Sequence, residues 1–125
     1  MRIPPVCMRA GDNMKMAMVS QPMGGFTKKE ILEARERAAK LLKDKGYVVA
    51  DTYFDDDFSD EDLKEYGITQ LPVFYLAKSL EAMSFCDVVY FCKGWGKARG
   101  CRIEHEVAVA YGLDVIYEEE EWVII

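Results

Sequence analysis

Apolar and polar positions along the chain alternate between two periods, and the switch between them marks the elements. Lys15 to Ser20 (KMAMVS) is a short, mostly apolar run that predicts a strand. Gln21-Pro22-Met23-Gly24-Gly25 follows with turn chemistry. Thr27, with Glu30 three residues on, forms a capping box and opens a helix. Ile31, Ala34, Ala38, Leu41 and Leu42 recur there at helical spacing, and Gly46 supplies the stop. Tyr47 to Ala50 predicts a second strand. Strand, glycine loop, helix and strand in that order make a right-handed βαβ unit.

The second half repeats this alternation without repeating its sequence. Asp55 to Gly67 is acidic, and Ser59 is placed to cap a short helix. Pro72 suits the first position of a further helix that buries Val73, Leu76, Ala77, Leu80 and Met83. Asp87 to Cys92 (DVVYFC) is nearly all apolar, as expected of a strand covered on both faces. The loop Lys93 to Gly100 leads into a helix from about Cys101 to Tyr111, stopped by Gly112. Asp114 to Tyr117 predicts a fourth strand and Trp122 to Ile125 a fifth. The fold expected is a three-layer α/β domain, Rossmann-like or flavodoxin-like, with a mostly parallel sheet of four to five strands. Residues 1–14 lack an apolar core and read as a flexible arm, leaving 15–125 as one domain.

Composition narrows the possible partners. A net charge of -6 disfavours binding to a nucleic-acid polymer. No apolar run approaches a membrane span. Cys7, Cys86, Cys92 and Cys101 show neither a CxxC pair nor zinc spacing, so they read as reduced thiols of a cytoplasmic protein. Asp55-Asp56-Asp57 lacks the spacing of a calcium loop and reads as a solvated, mobile loop or lid. Neither a metal nor a cofactor is expected.

In a parallel sheet, ligands bind beyond the carboxyl ends of the strands where strand order reverses. That rule selects two segments. Gln21, Pro22, Met23, Gly24 and Gly25 precede a helix whose free N–H groups suit a phosphate or ribose, although Gly and Pro also make plain turns. In Gly94 to Glu104, Trp95 offers a face for a base, and Lys97, Arg99 and Arg102 can hold a phosphate. Glu104, placed in the first turn of its helix on a stripe with Ala108 and Tyr111, should point towards the crevice. The helix dipole would favour its ionised form, as a nucleophile requires, although a first-turn glutamate stabilises any helix. His105 points about 100° away and reads as surface or interface. Ile103 and Val107 to Tyr111 make this helix apolar on more than one face, which suggests a second subunit.

Three stretches, VSQPMGG, CDVVYFCKGW and above all ARGCRIEHEVAVAYG, make the chain resemble the nucleoside 2-deoxyribosyltransferase-like superfamily, especially its small, largely uncharacterised members. The resemblance covers roughly Lys15 to Tyr117. It implies that Glu104 attacks the anomeric carbon of a nucleotide or nucleoside and that Gln21, Pro22 and Met23 line the sugar pocket. It also implies a homodimer or higher homo-oligomer. Two departures stand out. Ser79 occupies the place where many active members carry an aspartate, and Lys97-Ala98-Arg99 stands where nucleotide hydrolases carry a phosphate-binding serine. The expected function is cleavage or exchange of an N-glycosidic bond, with hydrolysis favoured over transfer. The alternatives are a non-catalytic nucleotide-binding or sequestering module and a flavodoxin-like binder of another cofactor.

Overall fold

The computed structural model describes residues 14–53 and 59–118. Four strands, β1 (Lys15–Ser20), β2 (Tyr47–Val49), β3 (Val88–Phe91) and β4 (Asp114–Tyr117), form one sheet in the order β2-β1-β3-β4. Every pairing is parallel, with Ala17 opposite Val49 on one side and Val88 on the other. This is the flavodoxin-like order, and strand order reverses between β1 and β3. The fifth strand, the arm before Met14 and the Asp55-Asp56-Asp57 lid lie outside the described residues, as does Cys7.

Four helices, α1 (Lys28–Asp44), α2 (Asp60–Glu65), α3 (Leu71–Met83) and α4 (Arg99–Ala110), fill the connections. The Thr27 capping box is present in full: its hydroxyl accepts from Glu30 N at 3.1 Å, and Glu30 Oε1 accepts from Thr27 N at 2.9 Å. Such a cap is worth about 1 kcal/mol. Ser59 caps α2 in the same manner, accepting from Asp62 N at 3.1 Å. Gly46 adopts φ 93° just past α1, a backbone region that penalises a residue bearing Cβ.

The period-two alternation of β1 divides the core into two layers. Ala17 and Val19 face α1 and pack with Ala38, Leu42, Val88 and Tyr90. Met18 faces the other way and packs with Met83 of α3, Ala108 of α4, Val89 and Phe91. All four residues of β3 are buried, as a strand covered on both faces requires. Asp87, at the start of β3, accepts a hydrogen bond from Met16 N at 2.9 Å and ties the amino-end edge of the sheet together.

One expected stripe needs correction. On α3, Met83 is buried and Leu76 and Leu80 are half-buried, whereas Ala77 is exposed and Val73 is 60% exposed. Only the last turn of α3 reaches the core of the sheet, through Leu80 and Met83. Its first turn stands away from the sheet, so correct helical spacing did not bury Val73.

Candidate functional site

Successive residues of a strand point to opposite faces, and the carboxyl end of β1 uses this to reach both helical layers. Ser20 shares its face with Met18 and Met16, and its hydroxyl donates to Glu104 Oε1 of α4 at 2.5 Å. Gln21, next in the chain, turns to α1. Its amide donates to Ile31 O at 2.5 Å, and its Oε1 accepts from Arg35 Nε at 3.1 Å. Arg35 Nη1 also donates to Thr52 Oγ1 at 3.0 Å, and Thr52 in turn donates to Val19 O at 3.2 Å. A single arginine on α1 thus fastens the ends of β1 and β2 together, with its guanidinium 5.9 Å from the centre of the Tyr53 ring.

Glu104 is only 7% exposed, which is unusual for a carboxylate. Burial pushes its pKa up, and hydrogen bonds from Ser20 and Ser79, together with the positive charge of Arg35, pull the other way. Ser79 of α3 therefore sits against the candidate nucleophile. The expected cause of ionisation is corrected here. α4 begins at Arg99, which puts Glu104 in the second turn, beyond the strong reach of the helix terminus. Two hydroxyls and one guanidinium, and not the helix dipole, oppose the desolvation. Of the stripe expected with Glu104, Ala108 is buried, but Tyr111, the residue that closes the helix, is 81% exposed.

Beside this network lies an open cleft of about 1020 Å³ between α1 and the loop after β3. Gln21, Pro22, Met23 and Gly24 line it from one side, and Lys97, Arg99 and the buried thiols of Cys92 and Cys101 from the other. Gly25 does not line it; its φ of 85° serves the turn into α1. Nor does Glu104, although Cys101, one helical turn earlier, and Gln21, next to its partner Ser20, both do. The cleft wall carries both signs, with Glu30 and Glu33 on α1 opposite Lys97 and Arg99. Lys97 and Arg99 make no ion pair with a described residue. The first turn of α4 has no side-chain cap, because Ala98 holds the capping position. Arg102 points elsewhere, donating to Gly96 O at 3.4 Å, and is not among the lining residues.

Trp95 is also outside the cleft, because a 3-10 turn at Trp95–Lys97 folds the indole back against α4. His105 stacks on it with centroids 4.3 Å apart and planes 27° apart, so that face is already occupied. Phe91 lies edge-on to His105 at 5.1 Å, and Tyr117 completes the cluster, its hydroxyl 2.5 Å from His105 Nε2. The indole N–H is buried with no partner among the described residues. His105 is therefore half-buried in an aromatic cluster, which corrects the surface position expected for it. Burial lowers its pKa, partly offset by Glu106.

Sequence reasoning missed Arg35, Ser20 and Thr52. The signal for Arg35 was present: it falls on the same helical stripe as Ile31, Ala38 and Leu42, where a charge has no business unless something receives it. Among the described residues, no group of three or more His, Cys, Asp or Glu is placed to hold a metal, and no helix is long and apolar enough to cross a membrane.

A parallel sheet with a buried carboxylate and a cleft at its β1/β3 switch point defines a flavodoxin-like α/β domain with a crevice-type site. Residues 14–117 match the family model described as a domain of unknown function (DUF4406), and the chain belongs to that family. No curated protein and no solved structure matches it.

Proposed function

We propose that the protein cleaves or exchanges the N-glycosidic bond of a nucleotide or nucleoside, with hydrolysis favoured over transfer and Glu104 as the nucleophile. This reading extends the resemblance to nucleoside 2-deoxyribosyltransferase-like proteins. The observation that carries it is the buried Glu104 carboxyl, held by Ser20 at the carboxyl end of β1 and by Ser79 from α3. Two hydroxyl donors fix its orientation before any ligand arrives, which suits a group that must attack along one line. A Glu104 oxygen would bond to the anomeric carbon as the C–N bond breaks. The bonding pair would leave with the base, which takes a proton from solvent or from a second acid. Water would then attack the glycosyl ester, releasing the sugar and regenerating the carboxylate. Lys97 and Arg99, beside the uncapped start of α4, would take a phosphate in the adjoining cleft.

The test is release of free base from a panel of nucleotides and nucleosides. Wild-type protein should release a base, and the folded Glu104→Gln variant should lose that activity by at least about a hundredfold. Equal inertness of both proteins across the panel would end the proposal.

A second reading, a non-catalytic nucleotide-binding module, is favoured by one observation: Glu104 is not among the residues lining the cleft. It expects nucleotide binding by calorimetry with the ligand recovered unchanged. The proposal as a whole includes a cytoplasmic location and a homo-oligomer. The oligomer is supported by Val109 of α4, 57% exposed, together with the exposed Ile103.

A further inference from the structure

We infer that the substrate of this site is a phosphorylated N-glycoside of a cationic aromatic ring, of the pyridinium type, whose base departs without a proton. The inference rests on the reading of Glu104 as nucleophile and names the substrate class for it. It begins with the charges along the cleft. Glu30, Glu33, Ala34 and Arg37 of α1 line one wall as a stripe about 10 Å long. Phe26 stands at the start of that wall, 49% exposed, in a turn where its N–H donates to Met23 O at 3.2 Å. Glu33 lies 3.8 Å from Lys29, with both side chains mostly exposed, a pairing worth little. Its carboxylate is therefore available to a ligand. The facing wall carries Lys97 and Arg99 at the uncapped start of α4. One wall offers an aromatic face and a carboxylate, and the other offers cations. A ligand with a cationic ring at one end and a phosphate at the other matches both.

The second support is the fate of the leaving group. A neutral purine or pyrimidine departs as an anion unless an acid supplies a proton, and a placed general acid is worth about 10²–10⁴ in rate. Among the described residues, the groups beside Glu104 and in the cleft are poorly suited to that task. Ser20 and Ser79 are hydroxyls bonded to Glu104 itself. Burial pushes Cys92 up to about 12 and Cys101 up to about 11, so each holds its proton too tightly. Glu30 accepts from Thr27 N at 2.9 Å, and Glu118 accepts from Lys93 N at 2.7 Å with Arg37 beside it at 3.7 Å. Both carboxylates act there as acceptors, which is not the form that donates. His105 is engaged by Trp95 and Tyr117 and does not line the cleft. A cationic ring removes the need for an acid. As a Glu104 oxygen bonds to the anomeric carbon, the C–N pair returns to the ring nitrogen and cancels its charge. The pyridine leaves neutral, and water then cleaves the glycosyl ester, losing its proton to solvent.

The experiment separates recognition from reaction. Folded Glu104→Gln, which lacks the nucleophile, is titrated by calorimetry with 1-ribosylpyridinium 5′-phosphate and with the phenyl C-riboside 5′-phosphate. The two ligands share a shape and differ in the charge of the ring. The pyridinium ligand should bind at least about tenfold tighter, and adding Glu33→Gln or Phe26→Ala should each narrow the gap about threefold. Equal affinity for the two ligands overturns the inference. With wild-type protein, pyridine release should exceed release of adenine, guanine, cytosine or uracil from their 5′-phosphates by at least about a hundredfold in kcat/KM. A neutral base released within about tenfold of pyridine reveals a proton donor and overturns the inference as well. The two ideas fail separately. Preferential binding of the charged ring without release of any base removes the glycosidic reaction alone. Release of neutral bases, with equal binding of the two ligands, removes the charged-ring inference alone.

Discussion

Replacing Glu104 by glutamine removes a charge from a buried position while keeping its shape and an oxygen that Ser20 and Ser79 can still donate to. The effect on stability has a definite sign. Burial raises the Glu104 pKa in the folded protein above its unfolded value. Between those two values the folded state binds more protons than the unfolded state, so wild-type stability falls as pH rises through that window. Below the unfolded value both states carry the proton and no penalty exists. Above the folded value the penalty is complete and constant. One proton can tilt stability by at most about 1.4 kcal/mol per pH unit, so each unit of window costs about that much. Glutamine does not titrate, hence the stability of Glu104→Gln minus that of wild type should grow as pH rises from about 4.5 and then level off. The Ser20 and Ser79 hydroxyl bonds strengthen only as the carboxyl ionises, so their effect is already contained in the net upward shift. Urea denaturation of both proteins at half-unit steps from pH 4 to pH 8 reads the curve directly. A variant that loses ground to wild type as pH rises would mean that Glu104 is a depressed, salt-bridge-like carboxylate, and the account of its environment would be wrong.

Two further expectations come from the layers on either side. His105 stacks on Trp95, and burial lowers its pKa, so in a Trp122→Phe background the Trp95 emission should fall as His105 protonates, with a midpoint below 6.5. Stability should decline through the same window as pH falls from 6.5, because the unfolded chain binds the proton more readily; loss of both effects in His105→Gln is the check, and their persistence refutes it. Burial pushes the Cys92 thiol up to about 12 and the Cys101 thiol up to about 11, so both should resist alkylation at pH 8 in the folded protein and react promptly in urea. Peptide mass spectrometry that finds either one modified as fast as in urea contradicts the burial described.

The architecture was legible because local rules and global fold agree along most of the chain. β1 and β4 fall where the apolar runs place them, and the Thr27 box forms as its spacing dictates. What the sequence concealed was distance in three dimensions. Trp95 carries an exposed-looking loop context, yet the 3-10 turn folds it onto His105, a contact no one-dimensional period encodes. Arg35 and Glu104 stand far apart in sequence, and each reaches the end of β1 through a hydrogen bond to one of two consecutive residues, Gln21 and Ser20. Glu104 itself was readable as a position, but its environment was not: burial and two serine hydroxyls set it, and the serines come from two other elements, β1 and α3.

The adjacency of Ser20 and Gln21 has a consequence for how this chain can vary. A one-residue insertion or deletion within Lys15–Gln21 would rotate the strand end by half a turn and hand the serine to α1 and the glutamine to α4. Both partnerships would be lost at once, with the strand's apolar content almost unchanged. Length variation among natural homologues and in engineered libraries should therefore avoid this seven-residue stretch.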